Sequence, residues 1–379
     1  YRPTPNRYPS NQRTFEPVRL SYFCRMYWIG NIRAVIIIQI SLIFIFYKRS
    51  QFINPYDVSH REASETVTGR ELQHISSSPT HNSVQRISSD RIVCITNIPF
   101  GEGKMQITEH VYNMHIEDGS IAHPGGSNNF FVGDPSEDML LIDTGDHDRE
   151  WTKSILQYYK SLGSPKISAI LITHGHTDHI GGLDRIQEAI KAPVRCHPKL
   201  KDKLGKLLSC PELVIPLQPN EFIKTGGQIT LKALFTPGHE IDHVCYYLDS
   251  DSVMFTGDTV LGASSTSVRD LTDYLNSLNL LTNYQHEIVC PAHGPVVLPP
   301  KGADLVNWQI RHRLKREKQV IAALGEGLRQ VPEITDHIYQ NTIKSGLRPS
   351  AERNVATHLE KLIKDGKIKK TDSIFELLG

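Results

Sequence analysis

No stretch of about 20 apolar residues, the length a membrane-crossing helix needs, occurs in the 379 residues of the chain. The nearest approach is Ala34 to Tyr47, fourteen residues broken only by Gln39 and Ser41, with Arg33 before and Lys48-Arg49 after. This segment, 34–47, reads either as a marginal anchor for membrane association or as an extension without a role. An excess of one charge is also missing. Lys plus Arg (42) nearly equal Asp plus Glu (41), so global charge argues for neither a nucleic acid nor a membrane surface. The six cysteines, Cys24, Cys94, Cys196, Cys210, Cys245 and Cys290, form no CxxC pair. That argues against a thiolate metal site and a secreted disulfide framework, and they read as reduced, mostly core residues. No Ser/His/Asp arrangement for nucleophilic catalysis is evident. What remains is an ordinary globular composition, 39% hydrophobic, in a chain long enough for two or three domains.

The chain begins at Tyr1 rather than Met, as a fragment or a processed or mispredicted start would. Residues 1–30 carry Arg2, Arg7, Arg13, Arg19 and Arg25 against the single acid Glu16, a transit-peptide composition. The corresponding expectation is a mitochondrial location, with a cytoplasmic or membrane-anchored one as alternatives. Ser50 to about Asp90 is rich in Ser, Thr, His, Gln and Asn without apolar periodicity and reads as a disordered linker. Its histidines His60, His74 and His81 lack regular spacing and receive no metal role. Three regions result: an extension with its linker over 1–90, a folded body over 91–300, and a C-terminal domain over 301–379.

The body is organised around Thr173-His174-Gly175-His176-Thr177-Asp178-His179-Ile180-Gly181-Gly182. Three imidazoles and a carboxylate follow Ile167 to Ile172, an apolar β-branched run that predicts a buried strand. Donors of these types suit zinc, and a site needs several converging from separate segments. Three later strand ends supply them. Leu231 to Thr236 runs into Pro237-Gly238-His239, Ser252 to Thr256 into Gly257-Asp258, and His286 to Cys290 into Pro291-Ala292-His293-Gly294. Further strands are expected over Arg91–Asn97, Ile107–Ile116, Asn129–Val132, Met139–Ile142 and Val194–His197, and helices over Trp151–Leu162 and from Ile186 to Ile190. Strands alternating with helices, and hairpins at the start, predict two sheets faced by helices, an αβ/βα sandwich. His197 and Phe255 read as structural and core residues.

His174-x-His176-x-Asp178-His179, then His239, Asp258 and His293, with Ile142-Asp143-Thr144-Gly145 upstream, resembles the metallo-beta-lactamase superfamily over about residues 90 to 300. The resemblance implies the four-layer αβ/βα sandwich, with the site on one rim between the sheets, and two zinc ions per chain. His174, His176 and His239 would hold one ion, Asp178, His179 and His293 the other, with Asp258 bridging. Asp143 would orient a ligand imidazole, and His243 is either a proton donor or a structural histidine. Such a pair lowers the pKa of a shared water toward about 7 and stabilises charge on the attacked group, which implies metal-assisted hydrolysis.

Beyond Pro300, a long helix over Asp304–Leu324, a short one over Glu333–Gln340 and a third over Ala351–Lys364 capped by Ser350 lead into a strand-like edge at Lys367–Lys370, a winged-helix-like α+β pattern. From Trp308 to Lys370, fourteen Lys and Arg against seven Asp and Glu leave an excess of seven, either a phosphate-facing surface or a solvated helix face. Within the superfamily, the 35 positions between Asp258 and His293 leave no room for the extra domain of large RNA-processing relatives. With Gly257-Asp258-Thr259-Val260-Leu261-Gly262 and Pro291-Ala292-His293-Gly294-Pro295-Val296, this end resembles the beta-lactamase-like protein 2 group, whose animal members are mitochondrial endoribonucleases on single-stranded RNA. Gly175 departs from it, standing where that group commonly has Trp. Fungal polyketide thioesterases are similar across Gly257 to Leu261, so the implied substrate is single-stranded RNA or, alternatively, a small acyl substrate such as a thioester or lactone. The oligomeric state is unknown from sequence.

Overall fold

A computed structural model describes residues 98–99, 103–117, 119, 125–339 and 345–378. The expectations for 1–90, including segment 34–47, and for a strand over Arg91–Asn97 lie outside the described residues. Among the described residues no helix is long and apolar enough to cross a membrane.

The first half of the body forms one sheet. Strands β1 (Ile98–Pro99), β2 (Lys104–Gln106), β3 (Val111–Ile116), β4 (Ser127–Gly133) and β5 (Asp138–Ile142) pair as antiparallel neighbours. Helix α1 (Arg149–Ser161), capped by the Asp148 carboxylate on Glu150 N, then crosses over to β6 (Lys166–Leu171), which pairs parallel to β5. Helices α2 (Thr177–Ile180) and α3 (Leu183–Ile190) lead to β7 (Val194–Cys196), and α4 (Lys201–Gly205) to β8 (Val214–Pro216), which continue the sheet in parallel. The strand expected over Ile107–Ile116 is shorter than its apolar pattern predicts. Residues 107–110 turn, because Thr108 and His110 bond the Asp251 carboxylate, the latter at 3.0 Å from Nδ1.

The second sheet contains β9 (Phe222–Lys224), β10 (Thr230–Phe235), β11 (Val244–Leu248), β12 (Val253–Gly257) and, after helix α5 (Leu271–Leu281), β13 (Ile288–Pro291). The pleat explains the layering: alternate side chains of a strand point to opposite faces. Phe130 and Val132 pack inward with Leu140, Leu171, Leu231, Tyr246 and Phe255 between the sheets. Phe131, between them in sequence, packs outward with Ile155, Tyr158 and Ile186 of the helix layer. On the far side Leu234, Cys245, Tyr247 and Met254 meet Leu271, Tyr274 and Leu278 of α5. This is the four-layer αβ/βα sandwich expected. Cys196, Cys245 and Cys290 are buried and free, and Cys210 is exposed.

Helix α6 (Lys301–Gly325) joins two cores. Val306 near its start packs on the second sheet, while Val320, Ala323 and Leu324 near its end pack with Ile334 of α7 (Val331–Tyr339), Val355, Leu359 and Leu362 of α8 (Arg348–Lys364), Ile368 of β14 (Ile368–Thr371) and Phe375 of β15 (Ile374–Leu377). Three helices and a two-stranded wing make this end a winged-helix domain. The expected cap at Ser350 is displaced. Helix α8 begins a turn earlier with Pro349 in its first turn, where a missing N–H costs nothing, and Ser350 Oγ instead accepts from Arg353 at 3.1 Å.

Candidate metal centre

The donors lie where strands of both sheets end. His174 and His176 follow β6, His239 follows β10, Asp258 follows β12, and His293 follows β13. Gly257 makes the last approach of β12 feasible: its φ is +47°, and a Cβ there would come within 2.6 Å of His243 Nε2. The structure brings all seven expected side chains together in two groups. His174, His176, His239 and Asp258 form one, Asp178, His179 and His293 the other, with donor atoms inside each group within 4.8 Å of one another. Asp258 faces both. Its Oδ2 lies 3.5 Å from His239 Nε2 and 3.9 Å from His174 Nε2, and its Oδ1 3.3 Å from His293 Nε2 and 3.6 Å from His179 Nε2. The His176 ring presents Nδ1 to its group, 3.0 Å from His174 Nε2 and 3.3 Å from His239 Nε2.

Every one of these imidazoles is held from behind, as metal-ligating histidines are. His179 Nδ1 donates to Asp143 Oδ2 at 2.8 Å, and Asp143 also accepts from Thr173 N and Thr173 Oγ1. Asp143 occupies the left-handed region at φ +59°, which few residue types other than Asn and Asp tolerate. Thr173 Oγ1 stands 3.1 Å from His174 Nδ1. His293 Nδ1 pairs with Ser127 Oγ at 2.8 Å, His176 Nε2 donates to Glu240 Oε1 at 2.8 Å, and His239 Nδ1 donates to the Ser267 carbonyl at 2.7 Å. The carbonyl can only accept, so His239 Nε2 is left with its lone pair toward the site.

His243 lies behind the bridge rather than in it. Fully buried, its Nε2 accepts from the Asp258 backbone N–H at 3.0 Å, and its Nδ1 faces Thr236 Oγ1 at 2.9 Å. Nε2 thus serves the loop that carries Asp258, and Nδ1 stands between the end of β10 and that loop, 3.2 Å from Thr259 Oγ1. Ser127, Glu240, Thr266 and Ser267 were not reached from the sequence. Glu240 follows a ligand directly and could have been noticed; Ser267 acts through a carbonyl that any residue would offer.

The donor set fits a pair of divalent cations. His179 Nε2 and Asp258 Oδ1 are buried, and no protein group hydrogen-bonds either; such atoms are costly unless something satisfies them. Burial depresses His174 and His239 and keeps them neutral, the form that binds metal. Burial also lowers His179, but the Asp143 and Asp258 carboxylates outweigh it and carry the ring well above its ordinary value. Burial would raise Asp258, yet His179 and His293 hold it well below the usual carboxylate range. The pocket therefore calls for positive charge between its carboxylates and its imidazoles.

Comparison with known proteins agrees with this geometry. Residues 123–293 match the model of the metallo-beta-lactamase superfamily, and residues 331–376 that of the beta-lactamase associated winged helix domain. A beta-lactamase-like protein 2 homolog of Drosophila melanogaster is 32% identical over 266 residues, 66% of this chain and 87% of the relative. An atrochrysone carboxyl ACP thioesterase of Passalora fulva is 32% identical over 255 residues, 64% of this chain and 72% of the relative. The crystal structure of a beta-lactamase domain protein from Burkholderia ambifaria superposes with a TM-score of 0.62 at 17% identity, covering 74% of this chain and 95% of that one, a likeness of fold alone.

Proposed function

The chain belongs to the metallo-beta-lactamase superfamily of hydrolases, and from that premise we propose that it uses two zinc ions to cleave phosphodiester bonds of single-stranded RNA. The nitrogen-rich donor set favours zinc. A bound pair would supply a water acidic enough to attack at neutral pH and positive charge against the oxygens of the attacked group. The chain's own contribution is orientation: Asp258 spans both groups of ligands, and the buried partners of each imidazole keep its donor nitrogen turned inward.

The preference for an anionic substrate rests on the rim beside His176, whose side chain is 39% exposed. Lys203 of α4 donates to the Gly175 carbonyl at 2.5 Å, between the two ligands His174 and His176. A Cβ at Gly175 would come within 2.6 Å of Leu200 Cδ2, 3.1 Å of Asp242 Oδ2 and 3.4 Å of Lys203 Nζ, so these three side chains, not one at 175, form this wall. On the other side Arg269 pairs with Glu240 at 2.7 Å, and Glu240 in turn holds His176. Two cations thus flank the most exposed ligand, where they can hold a phosphate.

A second reading, hydrolysis of an acyl thioester, is favoured by the C-terminal domain. Several of its cations already face carboxylates, although Arg311, Lys364, Lys367 and Lys369 are each more than half exposed. Arg313 is 3% exposed. Arg311 pairs with Asp304, Lys364 with Asp270, Lys369 with Glu376, and Lys361 and Lys367 with Glu317 and Asp365. The deciding experiment offers zinc-loaded protein both single-stranded RNA and a panel of thioesters, with Asp258→Ala and His179→Ala as inactive controls and Lys203→Ala as the rim variant. RNA cleavage with a raised KM in Lys203→Ala is expected. Intact RNA beside a turned-over thioester would replace the first reading by the second.

A further inference from the structure

The winged-helix domain reaches the metal centre through one buried cation. Arg313 of α6 is 3% exposed, and its guanidinium donates to the Thr266 carbonyl at 2.7 Å. It also lies over the Tyr274 ring of α5, 5.2 Å from the centroid. Thr266 and Ser267 are the two residues that hold His239 Nδ1, at 3.0 Å from Thr266 Oγ1 and 2.7 Å from the Ser267 carbonyl. The same stretch is tied to the backbone beside that ligand, since Arg269 N and Asp270 N both donate to the Gly238 carbonyl at 2.8 and 3.1 Å. Tyr274, beneath the guanidinium, sends its hydroxyl to the Thr259 carbonyl at 2.7 Å, next to the bridging Asp258. Helix α8 adds two lesser ties, Thr357 Oγ1 to the Val268 carbonyl at 3.3 Å and Lys364 to Asp270 at 2.5 Å. The loop between β12 and α5 is thus clamped between the ligand it orients and the helices of the next domain.

We propose that Arg313 is a positioning residue for the metal centre, setting the ring of His239 through Thr266 and Ser267 and backing the Asp258 loop through Tyr274. This rests on the two-metal reading above. The reason is geometric. A carbonyl fixes a ring nitrogen only as well as its own backbone is fixed, and here a planar, permanently charged fork fixes it from a buried site. The winged helix then acts as part of the hydrolase rather than as an appendage, whichever substrate is cleaved.

The test measures metal binding directly, in the full chain. Arg313→Met keeps the bulk and removes the donors; Arg313→Lys keeps a charged donor on a shorter reach. Arg311→Met, which cuts the exposed Arg311–Asp304 pair on the same helix without touching the loop that holds His239, controls for general loosening. Cobalt titration, read by the visible spectrum and by bound-metal stoichiometry, is expected to show affinity at one of the two sites lowered about 10- to 100-fold in Arg313→Met. Arg313→Lys should recover part of it and Arg311→Met should bind as wild type. Two ions bound by folded Arg313→Met with wild-type affinity and spectrum would overturn the proposal; should that variant not fold, the same result in Arg313→Lys would overturn it. A wild-type chain that takes up no metal would instead bring down the two-metal reading and this inference with it.

Discussion

The two halves of the metal centre are held from different parts of the molecule. The Asp178, His179 and His293 half is closed: both imidazoles, together with their supports Asp143 and Ser127, are at most 3% exposed, and both supports belong to the first sheet or its rim. The half built by His174, His176 and His239 is open at His176 alone, His174 and His239 being buried. His176 is 39% exposed, its support Glu240 is bound to Arg269, itself 73% exposed, and His239 hangs on a loop fastened to α6 and α8. One half is part of the sandwich core and inherits its rigidity. The other reaches solvent at His176 and is tied to the second domain, so the proposed substrate preference and the proposed positioning by Arg313 both concern it.

Asp258, the only donor serving both halves among the described residues, should give the largest effect. Asp258→Ala is expected to lose both metals, with hydrolysis down by at least on the order of a hundredfold; elemental analysis of the purified variant checks it, and one ion retained at full affinity would mean the halves do not share this bridge. Next, Asp143→Asn should weaken the closed half alone, by roughly 10- to 100-fold in affinity. Cobalt titration that shows both sites weakened equally would erase the distinction drawn between the halves. A milder result is expected on the open side, where Glu240→Gln should cost no more than about tenfold, because the His176 end of the pair is 39% exposed and screened by solvent; a loss larger than that of Asp143→Asn would invert the comparison.

The smallest effect on either half comes from His358 of α8, and it sharpens the contrast between metal site and domain. Burial, then the cations Arg313 and Arg316, depress this imidazole to about 3. Its folded value lies below the ordinary 6.5, so the unfolded chain binds more protons between the two. Its contribution to stability is complete above pH 6.5 and is lost as pH falls toward 3, about 2 kcal/mol by pH 5. Denaturant midpoints of wild type and His358→Leu at pH 7 and pH 5 measure it. A difference between the two proteins that does not change with pH would exclude a titrating His358.

The sandwich and the donors were legible because each rests on a local signal. An apolar β run that stops at Gly or Pro announces a strand end, and an imidazole or carboxylate there announces a donor. Local signals failed where a distant partner intervened. Asp251 bends the chain at 107–110, so the strand read from Ile107 begins at Val111. The excess of seven positive charges between Trp308 and Lys370 reads either as a phosphate-facing surface or as a solvated helix face, and acids outside that stretch pair with three of its cations: Asp304, earlier on the same helix, Asp270 before α5 and Glu376 of β15.

The sequence by itself determined which side chains can bind metal and in what order the chain delivers them, because donor chemistry belongs to residue type. Only the tertiary structure decided how those donors are aimed. Aim comes from carbonyls, buried hydroxyls and a guanidinium that lie far away along the chain, as Ser127 does from His293 and Arg313 from Thr266. Groups of that kind occur throughout any protein, and folding alone selects the few that end up behind a ligand.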